Sequence, residues 1–264
     1  MERLRVGHLP GRGYELTRRF RSWVRSLPGV SALLRVFRSA RARVSAPPAG
    51  GVNLGDLNRL SPVSRHWGFD RGTPIDRHFV QSFLVRHRDA IRGDVLEIGD
   101  NRYTTGVGAD RVTASHVLHV QQAPGVTIVG DLASLDERYA GQFDCAIIAQ
   151  TLQFIPDVAA AVQTVHRLLR PGGVALVTVP AISRIDRDLD GRYASEWSFT
   201  ERSMTRLFGE AFGPGNVTVT TYGNVLVATA FLQGLAAEEL TEEQLTFADP
   251  DFEVLVGVRA VRTG

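Results

Sequence analysis

Short apolar runs alternate with amphipathic segments from Gly93 onward. The runs are continuous and rich in β-branched residues, as expected of parallel strands that are covered on both faces. They lie at 94–99, 116–120, 126–131, 143–149 and 173–180. Between the last two, residues 157–169 show helical spacing, with Asp157 as a predicted cap and Pro171-Gly172-Gly173 as the stop. This alternation predicts an α/β protein with a doubly wound, mostly parallel sheet.

The pattern changes after Pro180. A polar, irregular stretch at 182–198 precedes a predicted helix that has Ser198 or Thr200 available as its cap. A strand at 217–223, a largely buried helix at 224–236 and a final strand at 254–261 follow. The carboxyl-terminal part is therefore expected to complete the sheet.

The amino-terminal segment from Tyr14 to Arg43 is basic and amphipathic. Its large apolar residues recur every three or four positions, and Pro28-Gly29 is expected to divide it into two helices. Such a helical arm suits an anionic membrane surface or a partner. It equally suits packing on its own domain or a partly disordered tail. Residues 45–51, SAPPAGG, have the composition of a linker.

Residues 61–92 form a separate block. Thr73, Pro74 and Asp76 predict a helix start, and Gly93 is expected to end that helix. Ahead of it, aromatic, polar and charged residues lie close together in a loop without periodicity. These residues are His66, Trp67, Asp70 and Arg71. We interpret the loop either as a binding loop or as an ion-pair network that joins it to the sheet.

Composition and charge narrow the class of protein. The 264 residues are 44% hydrophobic and 22% charged, as in an ordinary globular protein. Residues 1–43 carry a net charge of +9 and the remainder −7, which argues against a nucleic-acid-binding body. Cys145 is the single cysteine, so an internal disulfide and a cysteine-rich zinc site are excluded. With no apolar run long enough to cross a bilayer and no secretory signal pattern, we expect a cytoplasmic protein.

The stretch Gly93–Gly106, GDVLEIGDNRYTTG, is the candidate ligand-binding turn. A parallel strand followed by a glycine turn is where open α/β sheets place nucleotide-like ligands. A dinucleotide-type loop would have glycines two and four positions after Gly99, where this chain has Asn101 and Tyr103. By itself, this stretch is equally compatible with an ordinary strand and turn.

From about Gly93 to Val261 the chain resembles a class I S-adenosylmethionine-dependent methyltransferase. VLEIG resembles the first motif of that family, and FDCAIIAQTLQFIPD with VHRLLRPGGVALVTVP resembles its fourth strand, helix and fifth strand. Residues 61–92 and WSFT at 197–200 further resemble a subgroup associated with bacterial carbohydrate, cell-surface or natural-product biosynthesis. The resemblance implies a Rossmann-like, seven-stranded sheet with an antiparallel last strand. It implies domains at 1–45 (arm), 46–92 (cap of the active site) and 93–264 (methyltransferase-like domain).

The resemblance also implies positions for the cofactor S-adenosylmethionine. Glu97 and Gly99 match the approach to its methionine part, Asp131 the adenine contact and Gln150 the lining shared with the substrate. The ribose-binding acid of the family is replaced by Gln121, which lacks the charge of a carboxylate. The full candidate cofactor set is Glu97, Gly99, Asp100, Tyr103, Gln121, Asp131, Leu132 and Gln150.

Methyl transfer to oxygen benefits from a general base. The candidates are His66, Asp70 and Asp76, with His66 favoured because its reference pKa is nearest neutrality. Its alternative role is to hydrogen-bond within the loop. The candidate substrate-binding residues are Arg71, Arg77, Arg184, Glu196 and Trp197, whose arginines suit a phosphate or carboxylate. No metal-ligand spacing stands out.

The expected function is methylation of a small molecule, a sugar, nucleoside or glycoside intermediate, with O-methylation favoured. The altered turn leaves two alternatives. One is a methyltransferase-fold enzyme of nucleoside or sugar biosynthesis that no longer methylates, and the other is a non-catalytic partner protein. Membrane contact through residues 14–43 is a further expectation, whereas the oligomeric state is undetermined.

Overall fold

A computed structural model describes residues 46–187 and 194–264. The amphipathic arm at 14–43 lies outside these residues, so its helices remain a sequence prediction. Two compact units are present, with their boundary between Asn58 and Arg59. In the described part of the first, residues 46–54 are exposed and Gly55–Leu57 forms a 3-10 turn.

Within the described residues of the second unit, seven strands form one sheet. The strands are β1 (Gly93–Ile98), β2 (Val112–His119), β3 (Ile128–Val129), β4 (Phe143–Ala149), β5 (Leu169–Pro180), β6 (Val217–Tyr222) and β7 (Leu255–Val261). Their order is β3-β2-β1-β4-β5-β7-β6. Neighbours from β3 to β5 run parallel, and β7 is antiparallel to both β5 and β6. The predicted Rossmann-like sheet with an antiparallel last strand is confirmed.

Helices cover both faces of this sheet. They are α1 (Ile75–Arg86), α2 (Val158–Leu168), α3 (Glu201–Phe212), α4 (Val225–Leu232) and α5 (Glu242–Thr246). Buried residues of α2 and α3 belong to one apolar cluster, and those of α1, α4 and α5 belong to a second. Successive residues of a strand belong to opposite apolar clusters, because side chains alternate between the two faces of the sheet. Leu96 packs in the first and Val95 in the second, which explains why the strand runs are continuously apolar.

Two predicted helix caps are present. The Asp157 carboxylate accepts a hydrogen bond from the Ala160 N–H at 2.9 Å and begins α2. Thr200 and Ser203 form a reciprocal capping box at the start of α3. Thr73 was expected to begin α1, but its hydroxyl donates to Glu238 at 2.6 Å and its N–H donates to the same carboxylate. The helix starts at Ile75 without a side-chain cap, since a distant carboxylate binds Thr73.

Element ends differ from the sequence pattern in several places, and β2 begins at Val112 rather than at 116. Helix α1 ends at Arg86, and a 3-10 turn, Arg88–Ala90, lies between it and Gly93. Strand β3 is two residues long rather than six. Strand β5 begins at Leu169, before the expected glycines, because Leu169 pairs with Phe143 across a register shift. The turn residues Pro171-Gly172-Gly173 thus sit in an irregular part of β5.

Candidate functional site

The turn after β1 is held by the buried carboxylate of Glu97. This side chain is 2% exposed and accepts from the N–H of Tyr103 at 3.2 Å and of Thr104 at 2.7 Å. The Thr104 hydroxyl is a third donor, at 2.7 Å. Burial raises the pKa of Glu97, while these hydrogen bonds favour its ionised form. Glu97 therefore fastens the turn and faces inward.

Backbone access is open at Gly99, directly after β1. Its φ is +87°, and a Cβ placed there would meet no atom within 4 Å. A left-handed conformation and open space together favour glycine at this position. The next residue, Asp100, pairs with Arg102 at 2.5 Å, and this hydrogen bond lowers the pKa of the Asp100 carboxyl. Tyr103 is half-buried, and burial raises its phenol pKa.

The remaining predicted cofactor residues follow β2, β3 and β4 at the same edge. Gln121 is exposed, and its backbone rather than its side chain binds the His119 ring. Asp131 is also exposed, and one of its oxygens accepts from the Ala133 N–H at 2.8 Å. Leu132 is 4% exposed and packs in the first apolar cluster. Gln150 has φ +51°, and among the described residues its buried Nε2 has no partner.

A cavity of about 170 Å³ lies beside Gln150 at the carboxyl edge of the sheet. The loop before α1, the start of α1, the end of β4, the segment after β5 and helix α4 all contribute to it. Its aromatic lining consists of Trp67, Phe69, Phe154, Trp197 and Phe231, and its polar lining includes Asp76, Arg77, Gln150, Gln153 and Arg184. Five of the residues singled out from the sequence as site candidates, Asp76, Arg77, Gln150, Arg184 and Trp197, are thus brought together.

Asp76 is the partly buried acid of this cavity. Its Oδ1 atom is buried and has no hydrogen-bond partner in the part of the chain that the structure describes. Its Oδ2 lies 3.8 Å from Nε of Arg77. Burial raises the pKa of the Asp76 carboxyl, and the adjacent Arg77 only partly opposes this effect. An acid with an available oxygen and a raised pKa is suited to proton transfer.

Arg184 and the aromatic rings form a wall of the cavity. The guanidinium carbon of Arg184 lies 3.6 Å from the centre of the Trp67 ring, and its Nη1 donates to the Arg65 carbonyl at 2.7 Å. Trp67 has φ +60°, a left-handed conformation that is unusual for a large side chain. On another side of the cavity, the Trp197 indole N–H donates to the Ile155 carbonyl at 2.9 Å.

Four of the predicted catalytic and substrate-binding residues do not line this cavity. His66 is exposed, and its backbone N–H binds the Ser64 hydroxyl. The same hydroxyl donates to Asp70 at 2.5 Å, which lowers the pKa of that carboxyl. Arg71 forms a two-point ion pair with Glu239, with Nε 2.9 Å from Oε2. Glu196 is exposed and contributes its backbone N–H to the Gln153 carbonyl at 2.8 Å. His66 therefore lies outside the pocket that Asp76 occupies.

A family model described as a methyltransferase domain matches residues 55–217, more than half of the chain. The chain belongs to this methyltransferase family. No curated protein matches the sequence.

Solved structures similar to this methyltransferase domain have low sequence identity. The [4+2]-cyclase SpnF is 18% identical, with a TM-score of 0.49 over 76% of this chain and 88% of its own. A Burkholderia thailandensis 1,6-didemethyltoxoflavin-N1-methyltransferase, solved with its substrate and S-adenosylhomocysteine, is 16% identical, with a TM-score of 0.46 over 98% and 94%. The N-methyltransferase NodS of Bradyrhizobium japonicum is 14% identical, with a TM-score of 0.44 over 79% and 97%. All three TM-scores lie below 0.5, so the family assignment rests on the sequence match.

Two residues that line the cavity of this methyltransferase domain, Gln153 and Phe231, were not predicted from the sequence. Gln153 is 5% exposed, and its Nε2 donates to the Gln150 carbonyl at 2.9 Å. A polar residue within the apolar run LQFI was the available signal for it. Phe231 comes from α4, far along the chain, and no local pattern distinguishes it from a core residue.

No helix in residues 46–187 or 194–264 is long and apolar enough to traverse a bilayer.

Proposed function

We propose that this methyltransferase domain transfers a methyl group from S-adenosylmethionine to a hydroxyl of a small polar molecule, a sugar, nucleoside or glycoside intermediate. The observation that carries the proposal is the Oδ1 of Asp76, which has no hydrogen-bond partner among residues 46–187 and 194–264. It lies in an aromatic-walled cavity that Gln150 also lines, at the edge where the predicted cofactor residues are found.

The cofactor edge has groups that fit S-adenosylmethionine. Gly99 leaves room for a ligand to approach the backbone after β1. Asp131 uses one carboxylate oxygen in its turn, which leaves the other for an amino group such as that of adenine. The buried Nε2 of Gln150 has no partner in the described chain and is available as a donor. Gln121, exposed after β2, is the candidate contact for ribose.

Glu97 has an indirect role in this proposal. Its carboxylate already accepts three hydrogen bonds from Tyr103 and Thr104, so it shapes the turn against which the methionine part would lie. These hydrogen bonds hold the turn at the positions next to Asn101, where the family motif has glycines that this chain lacks. Asp100, paired with Arg102, presents a charge beside the same turn.

Asp76 is the proposed general base. S-adenosylmethionine supplies an electrophilic methyl group on a sulfonium. The acceptor oxygen forms the new bond to the methyl carbon as the carbon–sulfur bond breaks, and Asp76 Oδ1 takes the hydroxyl proton. Burial raises the Asp76 pKa, so the carboxylate is a stronger base than an exposed aspartate. This assignment moves the base from His66, the first choice from sequence, to a group that lines the cavity.

The cavity lining suits a ring that carries several hydroxyls. Aromatic faces provide apolar contact, while a few placed polar groups fix orientation. Asp76 Oδ1 and Gln153 Oε1 are buried acceptors without partners in the described residues, and Nε of Arg77 and Arg184 are buried donors without partners there. Hydroxyl groups can satisfy both kinds, since each donates one hydrogen bond and accepts others. Arg77 and Arg184 are also the candidates to bind a phosphate or carboxylate of the substrate.

Calorimetric titration with S-adenosylmethionine and S-adenosylhomocysteine tests the proposal. We expect both to bind below the millimolar range, with Asp131→Ala weakening affinity about tenfold, the loss of one good hydrogen bond. Asp136→Ala is the matched control, because Asp136 also accepts one backbone N–H in an exposed turn, at 2.8 Å from Arg138. If the wild-type chain binds neither compound, the methyltransferase proposal fails. A non-methylating enzyme or a non-catalytic partner would then be favoured.

For the amino-terminal arm, we extend the proposal to peripheral contact with an anionic membrane. The support is its sequence: a net charge of +9 in residues 1–43 together with the regular apolar positions between Tyr14 and Arg43. Under this proposal a cytoplasmic enzyme meets its acceptor at a membrane surface, as in cell-surface carbohydrate biosynthesis.

A further inference from the structure

A second and larger cavity, of about 600 Å³, opens at the amino edge of the sheet. Its lining comes from the end of α1, the turn before β1, the start of β4, the irregular start of β5 and the end of β7. The lining residues that bear on the argument are Arg86, His87, Arg92, Gly172, Gly173 and Arg259. The volume is in the range typical of sites for small molecules.

This cavity is remote from the Asp76 cavity. The parallel strands β1, β4 and β5 begin at the amino edge, and β7 ends there because it runs antiparallel. Six or seven residues of strand separate the two edges. At about 3.3 Å per residue the edges lie roughly 20 Å apart. A ligand at the amino edge would not contact the proposed methyl-transfer site.

Three arginines give the cavity a positive wall. Within the part of the chain that the structure describes, Arg86, Arg92 and Arg259 have no carboxylate within 4.0 Å. Of the two acids of the lining, Asp144 accepts from Arg170 at 2.6 Å, whereas Asp89 is 95% exposed and lies 3.9 Å from Arg88. A concentration of unpaired arginines stands out in a body whose residues after 43 carry a net charge of −7.

The positive charge of two of these arginines also affects the pKa of His87. It packs edge-on against Phe83, with ring centres 4.8 Å apart, and is partly buried. Burial, followed by the charges of Arg259 and Arg86, lowers its pKa. Both arginines thus act on the His87 ring, which lines the same cavity.

Two glycines, Gly172 and Gly173, also line the cavity. Gly172 has φ +83° and open space where a Cβ would be, so no side chain projects into the cavity from this position. At Gly173 a Cβ would meet the carbonyl oxygens of Arg170 and Phe143 at 2.9 and 3.0 Å. The glycine pair of LRPGG thus preserves the irregular start of β5 and leaves the cavity open beside the arginines.

We propose that this arginine-lined cavity is a binding site for a phosphorylated small molecule of the size of a nucleoside diphosphate. Guanidinium groups suit phosphate because their planar N–H donors match its oxygens in pairs. Three of them around one cavity can contact the two phosphates of such a ligand, and the remaining volume accommodates its nucleoside. The site is independent of the proposed methyl-transfer chemistry and would regulate or tether the domain.

Titration calorimetry and thermal unfolding with pyrophosphate and ADP, at constant ionic strength, test this inference. We expect both probes to bind in the micromolar range and to raise the unfolding temperature. The double variant Arg86→Gln/Arg259→Gln should bind at least tenfold more weakly. Arg88→Gln is the matched control, since Arg88 lies on the adjacent turn, is 63% exposed and is not part of the lining.

The outcomes distinguish the arginine-lined cavity from the proposed methyl-transfer site. Equal binding by the wild type and the double variant, or no binding of either probe by the wild type, would overturn the inference. S-adenosylmethionine affinity should be the same in the double variant as in the wild type. Failure of the methyltransferase proposal would therefore appear in the S-adenosylmethionine titration and leave the pyrophosphate result unaffected.

Discussion

The guanidinium of Arg184 lies over the ring of Trp67, 3.6 Å from its centre. Arg184 follows β5 and Trp67 precedes α1, so this contact joins two loops that approach each other only in the folded sheet. Burial lowers the pKa of Arg184 without removing its charge, because an arginine pKa starts far above neutrality. The pair forms one wall of the cavity that contains Asp76.

We expect Trp67→Leu to raise KM for the acceptor about tenfold, with a smaller effect on kcat. The variant loses the cation–π contact, worth about 0.5–2 kcal/mol, and an aromatic wall. Trp67→Phe should retain part of the affinity, and both variants impose the same φ on a side chain that is not branched at Cβ. Phe247→Leu is the control, because Phe247 is 63% exposed and lies outside the cavity. Steady-state kinetics with an identified acceptor would measure this, and an unchanged KM in Trp67→Leu would contradict the proposed role.

Asp76→Asn should lower kcat at least 100-fold, within the range expected for loss of a general base. Affinity for S-adenosylmethionine should stay the same, since Asp76 is assigned to the acceptor side. In the wild type, kcat should rise with pH through a midpoint above 3.8, the ordinary aspartate value, because burial raises the Asp76 pKa. Asp70→Asn is the control on an exposed loop. Full activity of Asp76→Asn would remove Asp76 from the mechanism.

The same variant should be more stable than the wild type at neutral pH. The folded-state pKa of Asp76 is raised, so the stability associated with its protonated form is present below pH 4 and is lost as pH rises through the folded pKa. An asparagine at position 76 does not ionise, so the variant does not lose this stability as pH rises. The difference should be about 1.4 kcal/mol for each unit by which the two pKa values differ. Urea unfolding at pH 4 and pH 7.5 would measure it; a variant less stable than the wild type at pH 7.5 would contradict the expected sign.

Glu97→Gln should reduce the free energy of unfolding by about 1–3 kcal/mol, the cost of leaving buried polar groups unpaired. The amide nitrogen would face the N–H of either Tyr103 or Thr104, since each of these donors now binds a different oxygen of the carboxylate. Asp100→Asn is the control. Its ion pair with Arg102 is exposed, so the effect should stay within about 0.5 kcal/mol. Equal effects of the two substitutions would show that Glu97 does not hold the turn.

Deletion of residues 1–43 should abolish binding to anionic vesicles and leave the fold intact. This segment carries a net charge of +9, which neutral vesicles would not attract. Cosedimentation with phosphatidylglycerol and phosphatidylcholine vesicles would measure the difference, with circular dichroism as the check on folding. A truncated protein that still binds anionic vesicles would exclude the arm as the membrane contact.

Local order was predictable from sequence because secondary structure follows short-range patterns. Strand β4 has its predicted bounds, 143–149, and Asp157 caps α2 as expected. Continuous apolar runs indicated strands that are covered on both faces, and the two apolar clusters confirm this. The residues at strand ends, such as Gly99 and Gln150, could also be placed, since parallel strands end at one edge.

Tertiary structure decided which of the candidate side chains meet. Arg71 was a candidate for substrate binding, but Glu239, 168 residues away, pairs with it. Asp76 rather than His66 is the proposed base because Asp76 lines the cavity and His66 is exposed outside it. The arginine cavity at the amino edge likewise needs α1, β5 and β7 together. The order of strand and helix patterns along the sequence was enough to predict the sheet. Which side chains lose solvent and which charges pair depends on long-range packing, and these two effects set the chemistry available at each edge of the sheet.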